Sequence, residues 1–330
     1  MADQGGCPPG RDAVAPPAAP QAVHRVAVVF NPVSAGEEEA PRRKRELLEA
    51  LAAAGVEAVL EETTADDPGQ GATRRALAQD ADLVLAAGGD GTVMACATSL
   101  AGGSVPLAVL PSGTGNLLAV NLGLPDDLES ALDVALHGGR RRIDVGAIGA
   151  DRFVVMSGIG FDAAMLRGAD QALKASIGAL AYVLSGLRQL GRRPTEFRIR
   201  LDGLPPIIRT GQGVLVGNFG KLQGGIDVLP GAEPDDGLLD VGVLETRSPG
   251  GWPRLAGRVL LGHGGRLGEP PLELFRARRV EIDCGRPQPV QRDGEPGGRT
   301  RQFAVKVVPH ALTLCVPTPD PERQIGRRPS

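Results

Sequence analysis

Several short segments of this 330-residue chain carry the residue types that phosphate and proton chemistry need. Gly88-Gly89-Asp90-Gly91-Thr92 follows directly on the apolar run Asp82-Leu-Val-Leu-Ala-Ala87. Glycines let backbone N–H groups come close to a ligand and tolerate positive φ. A carboxylate beside such a turn can hold a divalent cation against phosphate. Without a ligand the same residues make a tight strand-to-helix turn whose Asp caps the next helix. Pro111-Ser112-Gly113-Thr114-Gly115-Asn116 repeats the pattern after the next apolar run. Two such loops on successive strands of one sheet face the crevice at the strand C-termini, where open α/β sheets bind ligands. Asn31-Pro32-Val33-Ser34 offers an amide, a hydroxyl and helix N-terminal amides to a phosphate. A plain turn with Ser34 near the cap is the simpler account. Thr63 and Thr64 end a strand where a hydroxyl can contact a ribose or adenine. Asp235-Asp236-Gly237 is an ordinary hairpin turn or a cation site made from Asp236 and neighbouring carbonyls. In Asp293-Gly294-Glu295 a carboxylate can accept a proton from an attacking hydroxyl.

The elements that must position these residues follow from hydrophobic periodicity. A strand is expected at 24–30, a helix at 37–54 with Pro41 in its first turn and Gly55 as its stop, and a strand at 56–60. A second helix ends over 73–79. The strand before Asp90 follows, then a helix at 92–100, a strand at 105–110, and helices near 116–121 and 127–137. Uninterrupted alternation of strand and helix means a parallel sheet with right-handed crossovers. Beyond Arg142 the pattern changes to period-two runs at 196–201, 213–217, 239–244, 279–283 and 303–308, separated by turn residues, as in an antiparallel β-domain. A helical segment at about 171–190 is more apolar than the rest and reads as core or, with Arg188, Arg192 and Arg193 at its end, as a membrane contact. The expected division is a disordered leader at 1–21, an α/β domain at 22–143, an antiparallel β-domain at 144–317 and a flexible tail at 318–330. Gly158-Ile-Gly160-Phe-Asp-Ala163 matches a dinucleotide fingerprint formally, but that fingerprint needs a second strand where the helical segment stands, so it is a decoy.

Composition narrows the function. A net charge of −3 and 3% aromatic residues give no pull toward nucleic acid and no base-stacking platform. Cys7, Cys96, Cys284 and Cys315 lie far apart and the histidines do not cluster, so free thiols in a reducing cytosol are expected and a zinc site is not. No apolar run reaches the roughly 20 residues needed to span a bilayer. No P-loop and no G-x-S-x-G elbow occurs.

In order along the chain, Asn31-Pro-Val-Ser, Gly88-Gly-Asp-Gly-Thr92, Pro111-Ser-Gly-Thr-Gly-Asn116, Asp236-Gly-Leu-Leu-Asp240 and Asp293-Gly-Glu295 resemble the diacylglycerol/sphingosine-type lipid kinases of bacteria. The resemblance covers roughly Val26 to Val316. It implies an α/β domain like that of NAD kinases followed by an antiparallel β-sandwich, with ATP and Mg²⁺ between them and a lipid hydroxyl as acceptor, presented at the membrane surface to a cytoplasmic, peripheral enzyme. It implies that Asn31, Thr64, Gly88, Gly89, Asp90, Gly91, Thr92, Val93, Met94, Gly113, Thr114, Gly115 and Asn116 contact the nucleotide. Asp90 is then beside the catalytic magnesium. Glu233, Asp236 and Leu238 ligate a structural magnesium, Glu233 and Leu238 through carbonyls. Glu295 is the proton acceptor, and Asp293 supports it.

Three departures from the family pattern stand out. Gly115-Asn116-Leu117-Leu118 lacks an acid common at this point, the first loop carries an extra Ala35 before Glu37–Glu39, and Arg292 stands where an apolar residue is common. An NAD kinase and a non-catalytic nucleotide- or lipid-binding regulator are the alternative readings. A homodimer is compatible with all of them.

Overall fold

The computed structural model describes residues 22–36, 38–113, 115–160, 194–222, 227–245 and 272–318. The leader at 1–21, the segment at 171–190, Thr114 and Glu37 lie outside the described residues. The N-terminal part runs β1 (Arg25–Phe30), α1 (Pro32–Ala35), α2 (Ala40–Ala53), β2 (Glu57–Glu62), α3 (Gln70–Leu77), β3 (Leu83–Gly88), α4 (Asp90–Leu100), β4 (Leu107–Pro111), α5 (Leu117–Leu122) and α6 (Leu128–His137). The strands pair in parallel in the order β2-β1-β3-β4. β1 and β3 are buried on both faces, as strands covered by helices must be, and they are accordingly continuous apolar runs. β2 lies at the edge and carries Glu57, Glu61 and Glu62, paired with Arg25, Arg75 and Lys44. Charge along an exposed edge discourages pairing with other chains.

The rest is β5 (Gly139–Ile148), β6 (Asp151–Phe153), β7 (Met156–Ile159), β8 (Thr195–Leu201), β9 (Ile207–Gly217), β10 (Leu239–Glu245), β11 (Leu272–Ala277), β12 (Arg279–Arg292) and β13 (Glu295–Val316). All of these pair with one another in antiparallel fashion. Gly158 and Ile159 of the apparent dinucleotide fingerprint are strand residues of β7, not a phosphate turn.

β13 ties the two parts together. It begins at Glu295, pairs with β12, bends at His310 where φ is +47°, and ends with Leu314 in parallel register with Leu107 of β4. β5 flanks that end from Ile143↔Leu312 to Gly139↔Val316. The chain thus returns to the edge of its first sheet. One core runs through both parts. Val93, Cys96 and Leu100 of α4 share it with Val154, Val155, Met156, Leu215 and Leu312. This shared core holds the start of α4 against the β-rich part.

Candidate active site

Three loops at the C-terminal ends of β1, β3 and β4 converge. Gly89 and Gly113 meet backbone to backbone, and a Cβ on Gly113 would stand 2.6 Å from the Gly89 Cα. A Cβ on Gly88 would stand 2.7 Å from the Thr92 side chain, and one on Gly89 would lie 3.7 Å from the Ser34 Oγ. None of Gly88, Gly89, Gly91 and Gly113 has positive φ. Of the two reasons to expect glycine here, close approach is therefore the operative one.

Asn31 is committed within the chain. Its Oδ1 accepts the Val33 and Ser34 N–H groups at 3.0 and 3.2 Å, capping α1, and its Nδ2 donates to the Thr92 Oγ1 at 3.0 Å. The cap is Asn31 rather than Ser34, and the amide ties the first glycine loop to the first loop of the chain. Asn116, in a left-handed conformation, closes the third loop by accepting from the Gly113 N–H and donating to the Gly113 carbonyl. Val93 is a core residue and Met94 is half-buried on α4. Thr64 follows Thr63, whose N–H donates to the Phe30 carbonyl at the end of β1 at 2.9 Å. Thr64 is exposed, and its hydroxyl accepts the Asp67 N–H at the approach to α3.

Asp90 bridges two of the loops. The Leu117 N–H at the start of α5 donates to its Oδ1 at 2.7 Å, and its Oδ2 fills the space a Gly115 side chain would take. Its pKa is pushed up to about 7, first by burial and then by the Asp293 and Glu295 carboxylates, against the lowering effect of the Leu117 and Asn116 N–H groups. Glu295 reaches this spot from the far end of the sequence. Its Oε1 lies 3.7 Å from where a Gly91 Cβ would be.

Glu295 follows a two-residue hairpin turn. Asp293 and Gly294 have φ of +44° and +85°, and Arg292 pairs with Glu295 across the turn. Asp-Gly is the sequence such a turn favours, because both central residues need positive φ. The buried Asp293 carboxylate accepts the Val154, Val155 and Met156 N–H groups at 2.7, 2.8 and 2.8 Å. Burial pushes its pKa up to about 6 despite these three donors. Its own N–H donates to the Met156 carbonyl at 2.8 Å, so the whole turn is docked on the β6–β7 link. Arg292 forms an ion pair with Asp151 at the start of β6.

The other acidic turn is organised differently. The Asp236 Oδ1 accepts the Leu238 N–H at 3.0 Å, and its other oxygen takes the Arg276 guanidinium. The Arg276 Nε also lies 3.2 Å from the Asp240 Oδ1, and Arg141 grips Asp235 through two hydrogen bonds of 2.9 and 3.0 Å. Glu233 is exposed. A divalent cation on Glu233, Asp236 and Leu238 does not fit this donor set, because an arginine already supplies the positive charge on Asp236. Beneath the turn the buried Asp144 accepts the Gly237 N–H at 2.6 Å and the His310 N–H at 2.7 Å. The melting temperature of the nucleotide-free protein is accordingly expected to stay the same when EDTA replaces Mg²⁺. Arg276→Gln is expected to cost about 1 kcal/mol, as a half-exposed ion-pair network does. Thermal melts of both proteins in both buffers check this.

Among the described residues no three Asp, Glu, His or Cys side chains converge as a metal cluster. Asp90 nonetheless fits one cation, since what surrounds its raised carboxyl is burial and further negative charge. A cation there would take its remaining ligands from bound phosphates or water.

Residues that escaped the sequence reading are Gln291, Asp144, Arg276 and the Leu117 N–H. Neither Arg276 nor Asp144 falls in a run that the periodicity marks as a strand.

With this geometry in hand, the chain compares closely with known proteins. Residues 25–148 match the diacylglycerol kinase catalytic domain, and residues 154–316 match the YegS C-terminal NAD kinase beta sandwich-like domain. A protein named "Diacylglycerol kinase" from Bacillus subtilis is 30% identical over 286 residues, 83% of this chain and 90% of that protein. One named "Probable lipid kinase YegS-like" from Pseudomonas fluorescens is 32% identical over 293 residues, 87% of this chain and 94% of that protein. A crystal structure of a diacylglycerol kinase from Bacillus anthracis superposes with a TM-score of 0.71 at 23% identity, covering 91% of this chain and 99% of that one. Two docked parts, a glycine-loop sheet and an antiparallel sandwich, define a phosphotransferase of the NAD kinase-like and diacylglycerol kinase-like fold. The chain belongs to the diacylglycerol kinase family and is a lipid kinase.

Proposed function

We propose that the chain transfers the γ-phosphoryl group of ATP to the hydroxyl of a diacylglycerol-like or sphingoid-like lipid. The observation that carries this reading is the meeting of Glu295, from the second part of the chain, with Gly91 and Asp90 of the first. In this reading residues 22–143 bind the nucleotide and residues 144–317 bring the lipid. The converging loops around Gly88–Thr92 and Gly113–Asn116 hold the phosphates by backbone N–H groups, and Thr114 belongs to that set. Glu295 takes the proton of the lipid hydroxyl as its oxygen bonds to the γ-phosphorus and the bond to the ADP oxygen breaks. Asp293 holds the turn that carries Glu295. Asp90 would hold Mg²⁺, which when bound would neutralise charge on the phosphates. Positioning and charge neutralisation supply most of the catalysis in such transfers.

Among the described residues no helix is long and apolar enough to cross a membrane. The enzyme in this reading is cytoplasmic and meets its lipid at the bilayer surface. Purified protein with labelled ATP and Mg²⁺ is expected to label a lipid from a panel of diacylglycerol, sphingoid bases and glycolipids, and to form no NADP from NAD. Nucleotide binding with no labelled lipid product would count for the regulator, and NADP formation for the NAD kinase.

A further inference from the structure

We infer that Gln291 is a positioning residue for the phosphoryl transfer, fixing the turn from which Glu295 reaches the nucleotide loops. The inference rests on the proposed role of Glu295. Gln291 is fully buried and lies two residues before the turn. A two-residue hairpin leaves both of its central N–H groups outside the strand ladder. One of them, Asp293, donates to the Met156 carbonyl. The other, on the buried Gly294, donates to the Gln291 Oε1 at 3.0 Å. Gln291 is held in turn through its backbone, whose carbonyl accepts the Ser157 hydroxyl at 2.5 Å. The turn is therefore fixed from two sides, by Asp293 on 154–156 and by Gln291 on Gly294, and the next residue is Glu295.

A count of buried polar groups separates positioning from plain stability. The Gln291 Nε2 is buried with no acceptor among the described residues. A buried donor left unsatisfied costs about as much as a hydrogen bond gains, or more. Replacing the amide with an isosteric thioether removes one orphaned donor, Nε2, and creates another, the Gly294 N–H. The two states have equal numbers of orphaned groups. What differs is whether anything orients the Gly294 peptide, and through it the Glu295 backbone.

Gln291→Met is therefore expected to shift Tm by no more than about 3 °C, within what about 1 kcal/mol moves a chain of this size. It is expected to lower kcat on the order of tenfold, since sub-ångström misplacement of a reacting group is costly. The KM for ATP should stay within about twofold, because the nucleotide loops lie on other elements. A kcat within twofold of wild type overturns the inference, and so does a large fall in Tm or failure to fold, which would make Gln291 a structural residue. Hydrogen exchange on the wild-type protein gives a reading that needs no variant. The Gly294 amide should be strongly protected, and exchange at the rate of an exposed turn refutes the Gln291 bond. If wild type phosphorylates no lipid, the proposed function fails, and the exchange measurement still decides the Gln291–Gly294 contact.

Discussion

Glu295→Gln is expected to lower kcat by about 10²–10⁴, the range that general-base catalysis contributes, with little change in the KM for ATP. The amide keeps the size and polarity of the side chain and loses its negative charge and with it the capacity to take a proton. Its neighbours make this a clean test. The turn before it is held through Asp293 and Gln291. The substitution therefore leaves the fold intact, which circular dichroism and an unchanged Tm would confirm. Steady-state kinetics at saturating lipid, with ATP varied, separate the two parameters. Wild-type kcat in the variant would remove Glu295 from the mechanism.

The sequence made the order of elements legible, because alternation of strand and helix is written locally, in apolar runs and glycine stops. β3, α4 and β4 fall within a few residues of where periodicity puts them. The glycine loops were legible too, but not their reason. Positive φ and close approach both favour glycine, and only the packing of Gly89 on Gly113 tells them apart. Asn31 shows the opposite difficulty. An Asn after a strand can face a ligand or cap a helix, and its choice depends on Thr92, 61 positions away. Asp144 was invisible as a functional group because its partners, Gly237 and His310, lie 93 and 166 positions along the chain. Arg276 comes to pair with Asp236 because β10 and β11 set it opposite Asp240. The extent of β13 was likewise hidden. Periodicity marked 303–308, whereas the strand runs from Glu295 to Val316 and links both parts. Pairings at long range are the common factor, and no local pattern encodes them.

Those pairings also explain why the site sits at a junction. The Asp90 turn is fixed by its own sheet and by α5, whereas the Glu295 turn is fixed by the β6–β7 link. The core shared by α4 with residues 154–156, together with the pairing of β13 on β4, keeps the two in register. Three carboxylates brought together in this way repel one another, and the chain bears that repulsion in the ligand-free state. The buried Asp293 is partly relieved by three N–H donors and by Arg292 nearby, while Asp90 has two N–H donors and two carboxylate neighbours. A cation-bound phosphate is the group that would relieve Asp90.

Asp90 therefore sets the second large effect, and its sign follows from its raised pKa. In the unfolded chain an Asp titrates near pH 4, and in the folded, ligand-free chain Asp90 titrates near pH 7. Between these values the folded state binds more protons, so the contribution of this group to stability is full below about pH 4 and is lost as pH rises through about 7. Asp293 contributes with the same sign, up to about pH 6. Asp90→Asn keeps an acceptor for the Leu117 N–H and cannot ionise. Its Tm should gain on wild type as the pH goes from 5 to 8, and parallel Tm profiles of the two proteins would show that Asp90 is not the titrating group. Binding has the opposite dependence, because a cation with nucleotide needs the ionised carboxylate. Affinity for the Mg²⁺–nucleotide is expected to be about tenfold weaker at pH 6 than at pH 8, as follows from a pKa near 7, with uptake of the ligand releasing protons measurable by calorimetry in buffers of different ionisation enthalpy. In Asp90→Asn that pH dependence should vanish. Asp90→Ala should lose on the order of 10²–10³ in kcat, the scale on which removing one preorganised electrostatic group acts.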